Sequence, residues 1–252
     1  MSPLYKALFS LDTTPREDAF GALRSTLRLV CHEWDQIIVS TPKLWNYVFL
    51  RFDERVKYDA SAESLLAYMR LCVERSKSLD RTLRVVNALV DDDSDDWEHY
   101  PKVLGYLQSQ SNWAGLHIDW RYYTEPWVEY AKMIKCSKKL ETLEFIVHNR
   151  DEERAYGDYL SRDVIQLDTL HSFSLDLRIK TDVGNGLLKK LRFPSLRTLK
   201  VAIHPTSSDS GTDPHQIAES LSKLLDGIES QVTCEFDDPR LSAWIESSKS
   251  AQ

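Results

Sequence analysis

The sequence predicts an α/β fold, in which parallel strands and helices stack in an irregular arc after a short helical module. Three observations predict it. One apolar pattern recurs past residue 80, the segments between its copies have helical spacing, and residues 23–38 have helical spacing as well. We therefore expect a helical module over residues 1–60 and an α/β domain over residues 61–252, with about six strand-helix units.

The helical module is expected to contain a helix whose apolar residues recur at helical spacing over residues 23–38. Pro42 ends this helix, because the residue before a proline disfavours the helical conformation. A strand-like run follows over residues 45–50, and the polar residues 51–61 serve as a joint. Ser61 is expected to cap the next helix, whose apolar stripe consists of Leu65, Leu66, Met69, Cys72 and Val73.

The recurring pattern is an apolar residue, two variable residues, and then apolar residues that alternate with others, which is typical of leucine-rich repeats. Its four copies are Trp113-x-x-Leu116-x-Ile118-x-Trp120, Leu140-x-x-Leu143-x-Phe145-x-Val147, Leu170-x-x-Phe173-x-Leu175-x-Leu177 and Leu196-x-x-Leu199-x-Val201-x-Ile203. Weaker copies are Leu83-x-Val85 and Val232-x-Cys234-x-Phe236. Alternation of this kind indicates strands.

Helices are expected between the strands. Thr124 and Pro126 are typical of a helix start, with Trp127, Tyr130, Ala131 and Ile134 on one face. Pro214 suits the first position of another helix, with Asp213 and Gln216 at capping-box spacing and an apolar stripe from Ile217 to Ile228. Strands joined by single crossover helices lie parallel, which favours an arc of stacked units. A doubly wound sheet is the alternative.

Composition excludes several classes of function. The net charge is −7, and six acids lie within residues 91–98, so a basic nucleic-acid module is not expected. No apolar run is long enough to cross a membrane. The cysteines, Cys31, Cys72, Cys136 and Cys234, are widely spaced in apolar runs, so we expect buried, reduced thiols and a cytoplasmic or nuclear location.

No motif supports catalysis, a metal or a cofactor. The acidic stretch lacks the glycine and the bidentate glutamate of a calcium loop, and phosphate-binding glycine loops are absent from the sequence. We expect a protein that is not an enzyme, unless at least two of His117, His148, His171 and His204 converge with carboxylates in a cleft. Two lysine and arginine clusters, within residues 132–139 and 189–200, could align as a patch for an acidic ligand.

Residues 29–45, which contain Val30-Cys31-His32-Glu33-Trp34 and Ser40-Thr41-Pro42-Lys43-Leu44-Trp45, resemble the F-box of fungal, mushroom-type F-box proteins. Residues 74–79 and 193–199 are similar to further stretches of that family, the second to a leucine-rich-repeat phrase. The L-P-x-E motif that begins the family's F-box has no match before Leu4-Tyr5. We therefore expect either a truncated F-box start or an F-box that no longer binds its adaptor.

The resemblance implies a substrate receptor of a cullin-based ubiquitin ligase, in which the F-box binds a Skp-type adaptor and the repeats bind a protein substrate. The adaptor-binding residues that it implies are Leu4, Leu8, Phe9, Val30, Trp34 and Ile37. The sequence does not identify the substrate. The alternative is an interaction scaffold with a degenerate F-box and no role in a ligase.

Overall fold

The computed structural model describes residues 19–52, 59–87, 100–110, 112–120, 132–148, 164–178, 188–204, 214–226, 228, 231–238, 240–243 and 245. The predicted residues Leu4, Leu8 and Phe9, the acidic stretch 91–98 and the predicted helix start at Thr124 to Ala131 lie outside these ranges.

The described elements are short strands with helices between several of them. The helices are α1 (Ala19–Arg28), α2 (His32–Ser40), α3 (Asp59–Ser76), α4 (Tyr100–Ser109) and α5 (Pro214–Asp226), with a 3-10 turn at Pro42–Leu44 and helical residues at 132–136. The strands are β1 (Tyr47–Phe52), β2 (Arg81–Asn87), β3 (Trp113–Trp120), β4 (Thr142–His148), β5 (Ile165–Gln166), β6 (Ser172–Arg178), β7 (Leu191–Arg192), β8 (Thr198–Ile203) and β9 (Thr233–Phe236).

The main sheet has seven parallel strands in the order β1-β2-β3-β4-β6-β8-β9, and β5 pairs with β7 in a second, small sheet. The predicted α/β class and parallel strands are therefore confirmed. The seven strands follow chain order without reversal, whereas a doubly wound sheet reverses its order at a switch point. This order is consistent with an arc of stacked units.

The recurring apolar pattern forms the core, because each pair of alternating apolar residues faces the same side of the sheet. Strand register aligns the pairs across neighbouring strands. The first aligned row consists of Val48, Leu83, Leu116, Leu143, Phe173 and Leu199, all buried. The second consists of Leu50, Val85, Ile118, Phe145, Leu175 and Val201, also buried. Helix α5 begins at Pro214, as predicted, and buries Ile217, Leu221, Leu224 and Leu225.

The predicted helix over residues 23–38 is two helices. Hydrogen bonds from Leu29 N to Thr26 O (3.1 Å) and from Val30 N to Leu27 O (3.2 Å) close the end of α1, and Cys31 has extended backbone angles before α2. Arg28 Nε and Asp35 Oδ1, 2.5 Å apart, connect the helices across this turn. Helical spacing continues across so short a turn, so the apolar pattern does not reveal the break.

Three smaller predictions were wrong. Helix α3 begins at Asp59, so Ser61 lies inside the helix and does not cap it. Strand β1 extends to Phe52, so the polar joint is shorter than residues 51–61. Cys31 and Cys136 are exposed and only Cys72 is fully buried, because the first two lie beside turns at helix ends, where the chain meets solvent.

Trp45 joins the N-terminal helices to the sheet domain. Its indole Nε1 donates a hydrogen bond to Ile38 O (2.8 Å), and its ring lies 4.9 Å from the Arg24 guanidinium and 4.7 Å from that of Arg75 in α3. Arg24 also donates to Leu44 O (2.8 Å). Moreover β1, which lies before the predicted boundary at residue 60, is the first strand of the sheet. A separate helical module over residues 1–60 stays a prediction.

We predict that Trp45→Ala lowers the free energy of unfolding by about 3–5 kcal/mol, the usual loss for a buried large aromatic side chain. Trp45→Phe retains part of the ring packing and is expected to lose about 1 kcal/mol for the missing indole hydrogen bond, in addition to some packing. Urea denaturation measures both. Trp34→Ala, at a half-buried position in α2, is the control. A loss for Trp45→Ala no larger than that for Trp34→Ala would contradict the proposed junction.

We predict that a thiol reagent labels Cys31 and Cys136 rapidly in the native protein and labels Cys72 only on unfolding. Cys234, which is half-buried, is expected to react at an intermediate rate. Mass spectrometry of timed samples identifies each labelled cysteine. Rapid native labelling of Cys72, or protection of Cys31, would show that the packing around these residues is different.

Candidate protein-interaction surfaces

On β2 to β9 the face of the sheet opposite the apolar rows carries three further aligned rows, which together we name the open face. Tyr47, Phe49 and Arg51 continue these rows on β1. The hydroxyl row consists of Thr82, Gly115, Thr142, Ser172, Thr198 and Thr233. The charged row consists of Arg84, His117, Glu144, Ser174, Lys200 and Glu235. The third row consists of Val86, Asp119, Ile146, Asp176 and Ala202. These are the positions between the apolar residues of each repeat, so strand alternation accounts for them.

The side chains of the hydroxyl row are all small, so this row stands low on the surface of the sheet. Thr142 and Thr233 are exposed, and Ser172 and Thr198 are half-buried. At Gly115 a Cβ atom would lie 2.9 Å from Thr142 Oγ1 and 3.0 Å from the nearest Thr82 atoms. A larger residue there would displace the two threonine side chains, so glycine at this position leaves room for them.

Charged side chains on the open face pair between strands. His117 Nδ1 on β3 contacts Glu144 Oε2 on β4, and Lys200 Nζ on β8 lies 2.6 Å from Glu235 Oε2 on β9. Beyond the end of β8, His204 Nε2 lies 3.3 Å from Asp176 Oδ1 on β6. These pairs hold the carboxylates on the face while leaving much of each pair accessible to solvent.

The environment of Glu144 lowers the pKa of its carboxyl group. The hydrogen bond with His117 is the main cause, and the charges of His117 and Arg84 act in the same direction. Partial burial and the nearby Asp119 oppose the shift. Glu144 is therefore an ionised carboxylate on the open face over the whole neutral range.

Among the four histidines whose convergence would indicate an enzyme, those with described side chains do not lie in one common cleft. His117 and His204 each contact a different carboxylate, and their strands, β3 and β8, are three strand positions apart, or about 14 Å. His171 lies just before the first residue of β6, whereas His204 lies just after the last residue of β8, so the two are at opposite ends of the strands. Among the described residues, no three His, Cys, Asp or Glu side chains are arranged to hold a metal ion.

Three large apolar side chains are exposed on α2 and the turn before it, and we name them the helical patch. Leu29 is 86% exposed, Val30 60% and Ile37 53%, while the neighbouring Trp34 is half-buried. Ile38, the next residue, is buried against the core. Val30, Trp34 and Ile37 are among the predicted adaptor-binding residues. Leu29 is not among them, although it is the first residue of the F-box-like segment. Exposed apolar patches are typical of binding sites.

The two basic clusters lie on different units of the sheet. Lys132, Lys135, Lys138 and Lys139 are exposed before β4, and Lys189, Arg192 and Arg197 are exposed before β8. The unit of β6, with the exposed Asp168 in its turn, lies between them. Lys139 Nζ is also 3.4 Å from Asp80 Oδ1. A common patch for an acidic ligand therefore stays a prediction.

No protein family, curated protein or solved structure matches this chain. Within the part of the chain that the structure describes, no helix is both long enough and apolar enough to span a membrane.

We predict that Glu144 stabilises the fold in a pH-dependent way. Because its pKa is below the ordinary value of 4.5, the ionised carboxylate contributes stability above that pH and loses it as the pH falls through the lowered pKa. The contribution is at most about 1 kcal/mol, since both members of the His117–Glu144 pair are about a third exposed.

Urea denaturation of the wild type and of Glu144→Gln at several pH values measures this contribution. The difference in unfolding free energy is expected to be largest near neutral pH and to vanish in acid. Glu141→Gln, at an exposed carboxylate just before the same strand, is the matched control. A difference that grows on acidification would show that the sign of the effect is wrong.

Proposed function

We propose that this protein is a non-enzymatic substrate receptor of a cullin-based ubiquitin ligase. In this proposal the helical patch binds a Skp-type adaptor and the open face binds a protein substrate. The exposed apolar patch within the F-box-like segment, on helices fixed to the sheet domain, is the observation that supports it best. Because no family or structure match is found, the adaptor and the ligase enter only through the resemblance of residues 29–45.

The helical patch has the chemistry of a docking site for a protein. Ile37 and Ile38 are adjacent isoleucines, but only Ile38 is buried in the core, where it packs beside Trp45. Ile37 is exposed to solvent. Leu29 and Val30, in the turn between α1 and α2, are exposed as well. Burial of these three side chains in an interface would recover the free energy that their exposure to water costs.

The open face suits a different kind of interaction. It presents hydroxyl groups and ion pairs on strands that are held by the core beneath them, so its polar groups are fixed in position before any partner binds. A polar, pre-organised surface of this type favours selective protein recognition over general hydrophobic adhesion. The junction at Trp45 holds both surfaces on one folded unit, as a receptor that presents a substrate to a ligase requires.

The test is co-purification of the full chain with a purified Skp-type adaptor. We expect Val30→Asp and Ile37→Asp to weaken adaptor binding by about tenfold or more, because each places a charge in an apolar interface. Val164→Asp is the matched control, because Val164 is as exposed as Ile37 but lies outside the helical patch. It should bind like the wild type. Melting temperatures of all variants verify that the fold is intact.

Two outcomes would contradict the proposal. If the wild-type chain does not bind the adaptor, the ligase assignment fails and an interaction scaffold becomes the better account. If Val164→Asp weakens binding as much as Ile37→Asp does, the adaptor binds elsewhere and the helical patch has another partner.

A further inference from the structure

We propose that the ion pair between Arg28 and Asp35, which we name the turn clamp, holds the turn between α1 and α2 in the conformation that presents Leu29 and Val30 to the adaptor. Arg28 and Asp35 are positioning residues in this inference, because they act by holding the turn and not by contact with the partner. The inference rests on the proposed function, since it concerns how the helical patch is kept ready for binding.

The first reason is how little else holds the start of α2. Of its nine residues, all within the described ranges, Ile38 alone is buried, and Ile38 lies in the last turn. Trp34, nearer the start, is half-buried. The side chain of Cys31, the residue before the helix, makes no capping hydrogen bond within the described part of the chain. So short a helix is marginally stable by itself, so its N-terminal half depends on a few partial contacts.

The second reason is the place of the ion pair. Arg28 Nε donates a charge-assisted hydrogen bond to Asp35 Oδ1 (2.5 Å), which connects the last turn of α1 to the first turn of α2. The pair therefore spans the whole turn, including Leu29 and Val30. Each charge also lies at the helix end whose dipole favours it, the cation at a C-terminus and the carboxylate at an N-terminus.

The carboxyl group of Asp35 stays ionised over the neutral range. Its hydrogen bond with Arg28 is the main cause that lowers its pKa, and desolvation opposes the shift. The charges of Arg28, His32 and Arg75 act in the same direction as the hydrogen bond. Both members of the turn clamp are therefore charged at neutral pH.

The third reason is that α1 is fixed and can serve as the anchor of the clamp. Arg24, one helical turn before Arg28, is only 4% exposed. It donates hydrogen bonds to Leu44 O (2.8 Å) and to Tyr68 Oη (2.6 Å). Residues four apart lie on the same side of a helix, so the fixed Arg24 also fixes the part of α1 from which Arg28 reaches Asp35.

The fourth reason is the exposure of the turn itself. Leu29 and Val30 are held in water, although burial of apolar side chains is favourable. Their backbone amides close the end of α1, and Asp35 N donates to Cys31 O (3.0 Å) at the start of α2. Without the clamp the turn would sample other conformations, and adaptor binding would include the cost of ordering it.

Amide hydrogen exchange of the full chain without the adaptor, followed by NMR at Val30, tests the clamp. The Val30 amide donates to Leu27 O (3.2 Å) in the turn, so its exchange reports local opening. We expect Arg28→Gln and Asp35→Asn each to speed this exchange about two- to fivefold, the factor typical of a surface ion pair. Arg28→Lys retains the charge and should restore most of the protection.

The double variant Arg28→Gln/Asp35→Asn separates a clamp from two independent effects. If the two charges act on each other, its loss of protection is smaller than the product of the two single losses. Lys223→Gln is the matched control, because it breaks an exposed ion pair with Glu219 (2.6 Å) on α5. It should leave exchange at Val30 unchanged. Melting temperatures identify any variant whose fold is altered.

Isothermal titration of the same variants with a purified Skp-type adaptor measures the consequence for binding. We expect Arg28→Gln to bind about two- to fivefold more weakly than the wild type, and Arg28→Lys to recover most of the affinity. Lys223→Gln should bind like the wild type.

Three results would each overturn the inference: unchanged exchange at Val30 in Arg28→Gln, single losses that multiply in the double variant, or faster exchange with unchanged adaptor affinity. Failure of the proposed function gives a different result, because the wild-type chain then does not bind the adaptor at all. In that case the ligase assignment is rejected, and the exchange measurements alone decide whether the ion pair holds the turn.

Discussion

The parallel, in-register pairing of the repeat strands is the constraint on which the other features of the structure depend. Because side chains alternate between the two faces of a strand, a shift of one residue in any pair would exchange its core and open-face positions. The buried Leu143 and Phe145 on β4 show what holds the register, since a shift would expose them and bury Glu144. The same packing that forms the core therefore aligns the hydroxyl row and the charged row.

The junction at Trp45 extends this order to the N-terminal helices. Two arginine side chains lie against its ring and its indole donates to Ile38 O, so α2 cannot turn independently of α3 and β1 without breaking these interactions. Ile37 is thereby held facing solvent while Ile38 is held in the core. The apolar helical patch and the polar open face belong to one packed unit and have opposite chemistry, which suits them to two different partners.

The repeat pattern was sufficient to predict the class of fold and six strands of the main sheet, because the alternation of Leu199 and Val201, for example, is a local signal of a buried strand face. It did not predict the short strands β5 and β7. Other features depend on tertiary packing and could not be predicted. Helical spacing continues across the turn at Leu29 and Val30, so it cannot separate α1 from α2. Hydrophobicity cannot distinguish the exposed Cys31 from the buried Cys72. The rows of the open face become visible only when strand order and register are known.

A structure of this chain in complex with a Skp-type adaptor would show whether two surfaces of one folded unit serve two different partners. We expect the side chains of Leu29, Val30 and Ile37 to be buried in the adaptor interface while the open face remains accessible. An adaptor seated on the hydroxyl and charged rows, with the helical patch still exposed to solvent, would contradict this division of the two surfaces.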